Sequence, residues 1–127
     1  MKRALLVLMG LLAASDHGPA RGAEKGCPAD KIQFTKETGC RTDDYVQFCA
    51  PAADKKVRAA VRRIAPTATA RPERHCTDKE SLFFLPVSEE TGECVERWGA
   101  MTDKGWKQVC ALARLPQITS IRSVIFE

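Results

Sequence analysis

The chain has 127 residues and a formal charge of +4, which by length is one domain. Beyond residue 23 it holds twenty-odd large apolar residues. Each contributes roughly 1.5–3 kcal/mol when buried, so a real core can form, and a knottin-like chain held by its bridges alone is excluded.

Residues 1–23 read as a secretory signal peptide. Lys2 and Arg3 make a positive start, residues 4–14 are apolar and uncharged, and small residues recur through Ser15, Ala20, Gly22 and Ala23. The apolar stretch falls well short of the roughly 20 residues that cross a bilayer. Cleavage after Ser15 or after Gly22 fits the small-x-small rule. Removing Lys2, Arg3, Arg21 and Asp16 takes away a net +2, so the remaining domain, residues 24–127, carries +2. No transmembrane segment is expected in it.

Six cysteines follow: Cys27, Cys40, Cys49, Cys76, Cys94 and Cys110. An even count in an exported chain of this size implies three disulfides and a secreted or periplasmic location. No pair has the C-x-x-C spacing of a zinc or thioredoxin-like site, and the sequence has no phosphate loop or dinucleotide fingerprint, so no metal and no cofactor is expected. Six cysteines allow 15 pairings. Each bridge adds roughly 2–4 kcal/mol, against a net stability of about 5–15 kcal/mol.

After an irregular start pinned by Cys27, residues 31–36 alternate, with Ile32 and Phe34 on one face, and predict a strand. Glu37, Thr38, Gly39 and Cys40 predict a turn in which glycine tolerates positive φ. Residues 43–49 predict the returning strand, with Val46 and Phe48 inward. Folding about Gly39 would bring Cys27 beside Cys49, and that pair is expected to bond. Val57, Ala60, Val61 and Ile64 then fall at helical spacing, so residues 52–65 predict an amphipathic helix with Pro51 in its first turn and Asp54 at its positive end. Pro66 ends it, and residues 67–75 predict a surface linker.

Residues 81–98 hold the longest apolar run beyond the signal: Leu82, Phe83, Phe84, Leu85 and Val87, broken by Pro86. A polar turn and a second short run, Cys94 to Trp98, complete the pattern of a β-hairpin central to the domain. Pro86 belongs at a strand end or sheet edge. Thr102 and Asp103 start a second helix, in which Gly105 costs about 1 kcal/mol relative to alanine. Pro116 stops it, and residues 118–126 predict a last strand. The expected fold is therefore a small disulfide-stabilised α+β domain of antiparallel β-hairpins with two helices. A repeated Glu-Thr-Gly turn, at residues 37–39 and 90–92, suggests a ββα-ββα-β pseudo-repeat.

The residues offer little for catalysis. His75 sits beside Cys76, which is expected to be oxidised, and the serines lack a G-x-S-x-G setting. Asp43 and Asp44 would point to opposite faces of a strand, while Glu89 and Glu90 lie in a turn. The charge is polarised: residues 55–75 carry a net +6 and residues 77–103 a net −5. Arg58, Arg62, Arg63, Arg71 and Arg74 therefore form the candidate binding set, suited to an anionic polymer or an acidic extracellular protein. A solvated helix face is the plainer explanation. Nucleic acid is not expected, because no aromatics interleave with the arginines. The expected function is a non-enzymatic binding module. The alternatives are a protease inhibitor acting through residues 86–94, or a small hydrolase with acids gathered from separate elements.

Overall fold

The computed structural model describes residues 26–77 and 79–126, with the backbone alone at residues 72–75. The expected signal peptide lies outside the described residues. Six regular elements follow one another: β1 (Tyr45–Ala50), α1 (Lys55–Ile64), β2 (Thr69–Thr77), β3 (Glu80–Pro86), α2 (Asp103–Ala113) and β4 (Ile121–Ser123). The strands make an antiparallel sheet in the order β2-β3-β1-β4. One isolated parallel bridge, Ile32 to Ile121, adds a fourth line of pairing at the β4 edge.

Strand alternation sends Val46, Phe48 and Ala50 of β1 to one face, opposite Leu85, Phe83 and Ser81 of β3. Both helices cover this face. Val57 and Val61 come from α1, and Trp106, Val109 and Leu112 from α2; with the strand residues they form one buried cluster. Phe48 stacks on Phe83 with centroids 5.1 Å apart. The other face of the sheet carries Gln47, Phe84 and Arg71, with the Arg71 guanidinium 4.7 Å above the Phe84 ring.

The helices start where side-chain caps allow. The Asp54 carboxylate accepts the Lys56 and Val57 amides at 2.9 and 3.3 Å, so α1 begins at Lys55 and not at residue 52. Pro51 stays in the preceding turn, where its carbonyl accepts the Asp54 amide. The Thr102 hydroxyl accepts the Gly105 amide at 3.1 Å and sets the start of α2 as expected.

Several sequence expectations are overturned. Residues 31–36 form no strand: 3₁₀ turns at Ala29–Lys31 and Lys36–Thr38 surround the lone Ile32 bridge. Phe34 packs edge-on to Trp106 instead of pairing across a hairpin. Gly39 has φ −66°, so positive φ is not its reason for being there. A Cβ on it would meet the Met101 side chain at 2.4 Å, and glycine is needed for that close approach. Residues 67–75 are no linker, since most belong to β2. This is an edge strand with register shifts between Arg71, His75 and Thr77, and an edge tolerates Pro72 and its charged neighbours. Residues 94–98 do not return along β3, whose neighbours are β2 and β1. The last strand contracts to Ile121–Ser123. Pro86 does close β3, as expected. The order ββα-ββα-β holds only if the Ile32 bridge counts as the first strand, and the second unit's strands are then β2 and β3.

All six cysteines are oxidised, as Cys27–Cys110, Cys40–Cys94 and Cys49–Cys76. The expected Cys27–Cys49 pair required the hairpin about Gly39. Without it, Cys27 lies against α2 and Cys49 bonds to β2. The Cys40–Cys94 bridge joins the residues that follow the two Glu-Thr-Gly turns.

Candidate functional site

Arg58 and Arg62 lie one helical turn apart on α1, so they share a face. That face overhangs the edge of the sheet where β2 meets β3. The two arginines line a hollow of about 230 Å³ with Val61, Ala68, Ala70 and Phe83 at its apolar wall. Ala70 and Phe83 are paired across β2 and β3 on the helix-covered face. The Arg58 guanidinium donates to the Ala52 carbonyl at 3.0 Å, which fixes its direction. Among the described residues, no acidic group pairs with Arg58, Arg62 or Arg63. The polarised charge of the sequence is thus not cancelled by ion pairs from α1 to the acidic segment.

The five candidate arginines do not form one set. Arg58 and Arg62 come together at the hollow, and Arg63 is exposed farther round α1. Arg71 is on the opposite face of the sheet, held over Phe84. The side chain of Arg74 lies outside the described residues, as does that of His75. Cys76 is bonded to Cys49 and has no thiol for a Cys-His pair.

A second hollow, of about 260 Å³, gathers Asp44, Glu89 and Glu90 with Arg97, beside the Cys40–Cys94 bridge. All three acids are solvent-exposed, so the hollow lacks the water-excluding walls that acid–base catalysis uses. Asp43 turns elsewhere and accepts the Phe126 amide at 2.6 Å. Between β3 and α2, residues 88–93 close on themselves. The buried Glu93 carboxylate accepts the Ser88 amide at 3.1 Å and the Thr91 hydroxyl.

Residues 94–101 then form a tight loop. Cys94 and Met101 bridge at its base, and the Val95 and Gly99 amides donate to Ala100 and Glu96. The Trp98 amide donates to the Cys40 carbonyl at 3.0 Å, the Cys40 amide to Gly99 at 3.0 Å, and the Arg97 amide to Glu89 Oε2 at 2.8 Å. On this fixed frame Val95 is 62% and Trp98 46% exposed. Trp98 has φ +62° and Asp44, at the adjoining hollow, φ +73°. Left-handed backbone at such residues costs on the order of 1–3 kcal/mol and concentrates at functional positions. The residue pattern predicts Cys94 to Trp98 as the returning arm of a central hairpin; the tight turn exposes Val95 and Trp98 instead.

Metal ligation finds one grouping among the described residues, Cys49, Cys76 and Glu80, but its two sulfurs are bonded to each other. No helix among the described residues is long and apolar enough to cross a membrane. No known protein family, characterised protein or solved structure matches the chain.

Proposed function

We propose that the chain is an exported, non-enzymatic binding domain whose partner is anionic and docks at Arg58 and Arg62. The observation that carries this reading is their convergence on one hollow without an acidic partner among the described residues. Two guanidinium groups held one turn apart supply the charge-assisted hydrogen bonds that carboxylate, sulfate or phosphate groups accept. An anionic polymer or an acidic extracellular protein would meet that chemistry. Export to the periplasm or the exterior belongs to the same reading. It is supported by the signal-like residues 1–23 and by three disulfides, which persist in an oxidising space.

The inhibitor alternative has less support at residues 86–94. Its exposed tip is Glu89, Glu90 and Thr91, while Val87, Glu93 and Cys94 are buried, so no apolar side chain of the segment is fully exposed for a protease pocket. The hydrolase alternative rests on the acidic hollow, whose carboxylates are exposed.

Retention on immobilised heparin at pH 7 tests the proposal. The parent protein should bind at low salt and elute as salt screens the contact. Replacing Arg58 and Arg62 with alanine should move elution to clearly lower salt, while Arg71→Ala leaves it in place. Equal retention of the Arg58→Ala/Arg62→Ala protein would refute the assignment.

A further inference from the structure

The domain carries two surfaces that complement each other. The first is the knob made by Val95 and Trp98, fixed by the Cys40–Cys94 bridge and by backbone hydrogen bonds to Cys40 and Glu89. Acidic groups surround it: Glu96 in the loop, and Asp44, Glu89 and Glu90 around the adjoining hollow, where Arg97 is the one cation among the lining residues. Glu96 within the loop and the three acids of the neighbouring hollow outnumber Arg97, so an apolar pocket with a basic rim suits this end of the domain. The second surface is such a pocket, with Val61, Ala70 and Phe83 in its wall and Arg58 and Arg62 at its mouth. A cavity of ~150 Å³ takes one benzene, so a hollow of about 230 Å³ has room for an indole.

We propose that the Val95–Trp98 knob of one copy docks into the Arg58–Arg62 hollow of a second copy. This names a partner for the site proposed above and rests on that reading. Knob and hollow are different patches, so the contact is heterologous: a docked pair keeps one free hollow and one free knob, and association grows into chains. The tight turn of residues 95–98 offers side chains for insertion and not an extended strand for edge pairing. Trp and Arg are the residue types that dominate interface energetics, and the rigid loop loses little freedom on docking. A contact this small belongs to the weak class, well under about 1,200 Å², so self-association is expected only at high-micromolar concentration or above. An anionic ligand in the hollow displaces the knob, so ligand binding and self-association exclude each other.

Sedimentation equilibrium of the oxidised protein up to about 1 mM, a concentration chosen for a weak interface, tests this. The average mass should rise with concentration, fall back as salt is added, and fall back on adding a short heparin fragment. Trp98→Ala should lower the association constant at least about 30-fold, and Arg58→Glu/Arg62→Glu should do the same. Val95→Ser, a change at an exposed position, should weaken association with the fold kept, and it decides the matter if Trp98→Ala does not fold. Mixing Trp98→Ala with Arg58→Glu/Arg62→Glu should restore 1:1 heterodimers and nothing larger, because one intact knob and one intact hollow remain. A monomer at all concentrations, association indifferent to Trp98 and Val95, or a mixture without heterodimers would overturn the proposal. Heparin retention lost in Arg58→Ala/Arg62→Ala but kept in Trp98→Ala would leave the anion-binding reading standing even then.

Discussion

Gly105 sits in the first turn of α2, where helix propensity favours alanine by about 1 kcal/mol. The packing opposes that preference. A Cβ on Gly105 would lie 2.4 Å from the Glu93 carbonyl oxygen and 3.0 Å from the Glu93 Cα. Both are backbone atoms, so no rotamer change relieves the contact. The same carbonyl accepts the Thr102 amide at 2.9 Å, and the next residue, Cys94, is tied to Cys40. Pushing residue 93 away therefore strains a hydrogen bond at the cap of α2 and a disulfide together. Overpacking costs typically 1–3 kcal/mol, and a collision with backbone belongs near the upper end, about 3 kcal/mol. Subtracting the propensity gain leaves a net loss of about 2 kcal/mol. In a domain of this size each kcal/mol moves the midpoint by roughly 4–8 °C, so Gly105→Ala should melt about 8–16 °C below the parent. Thermal unfolding followed by circular dichroism, with the disulfides intact, measures this. A Gly105→Ala protein that melts at or above the parent temperature would refute the argument that close approach of α2 to residue 93 outweighs propensity.

Thr42 is buried; its hydroxyl meets the Tyr45 carbonyl and also bonds Val124, donating to the carbonyl at 2.9 Å and accepting the amide at 3.0 Å. Asp43 and Tyr45 also bond those two groups, so Thr42→Val should cost only about 1 kcal/mol, and an unchanged urea midpoint would count against it. Cys76 is exposed, whereas Cys40, Cys94 and Cys110 are buried. Limited reduction followed by alkylation and peptide mapping should therefore label Cys49 and Cys76 first, and early label at Cys40 and Cys94 would contradict the burial argument. The Lys36 ammonium, hydrogen-bonded to Asp103 and attracting its charge, holds that carboxyl below the usual carboxylate range. A lowered folded pKa gives stability that is present above the unfolded value and is lost as pH falls through the folded one. Asp103→Asn should therefore lose less melting temperature than the parent on acidification below about pH 4, and superimposable acid profiles would remove the pair from the account.

Both helices are legible in the sequence because their signals are local: valines at helical spacing in α1, and the cap at Thr102 in α2; the start of α1 is misplaced because Asp54 reads as a first-turn acid and not as the cap it is. The inward alternation of Val46 and Phe48 likewise fixes β1. The partners of β3 are not legible. Its unbroken apolar run marks a strand flanked on both sides, but the nearest apolar segment, Val95 to Trp98, faces solvent. The actual neighbour, β2, looks like a loop because it is an edge strand in which, among the described residues, Ala70 gives only a small apolar signal on the core face. Ile32 and Phe34 alternate like a strand, yet each fixes a separate 3₁₀ turn to the core. At the candidate site, the one-turn spacing of Arg58 and Arg62 is visible directly. The hollow between them needs β2, and the separation of Arg71 needs the pleat of the same strand, so neither follows from charge alone.

The three bridges are nested like brackets: Cys49–Cys76 spans 27 residues, Cys40–Cys94 spans 54, and Cys27–Cys110 spans 83. Closed from the inside outward, each step adds a loop of nearly equal size, 27 residues for the middle bridge (54 less 27) and 29 for the outer one (83 less 54). Since closure entropy rises with the logarithm of length, closing over 29 residues instead of 83 spares about 1 kcal/mol at the outermost step. A chain that emerges amino end first meets the opposite situation. Its first cysteine must wait for its last, and the thiols that appear earliest, Cys27, Cys40 and Cys49, have no native partner among themselves. Bonds made in order of appearance would therefore be non-native, and thiol–disulfide exchange would have to replace them before the nested set could form.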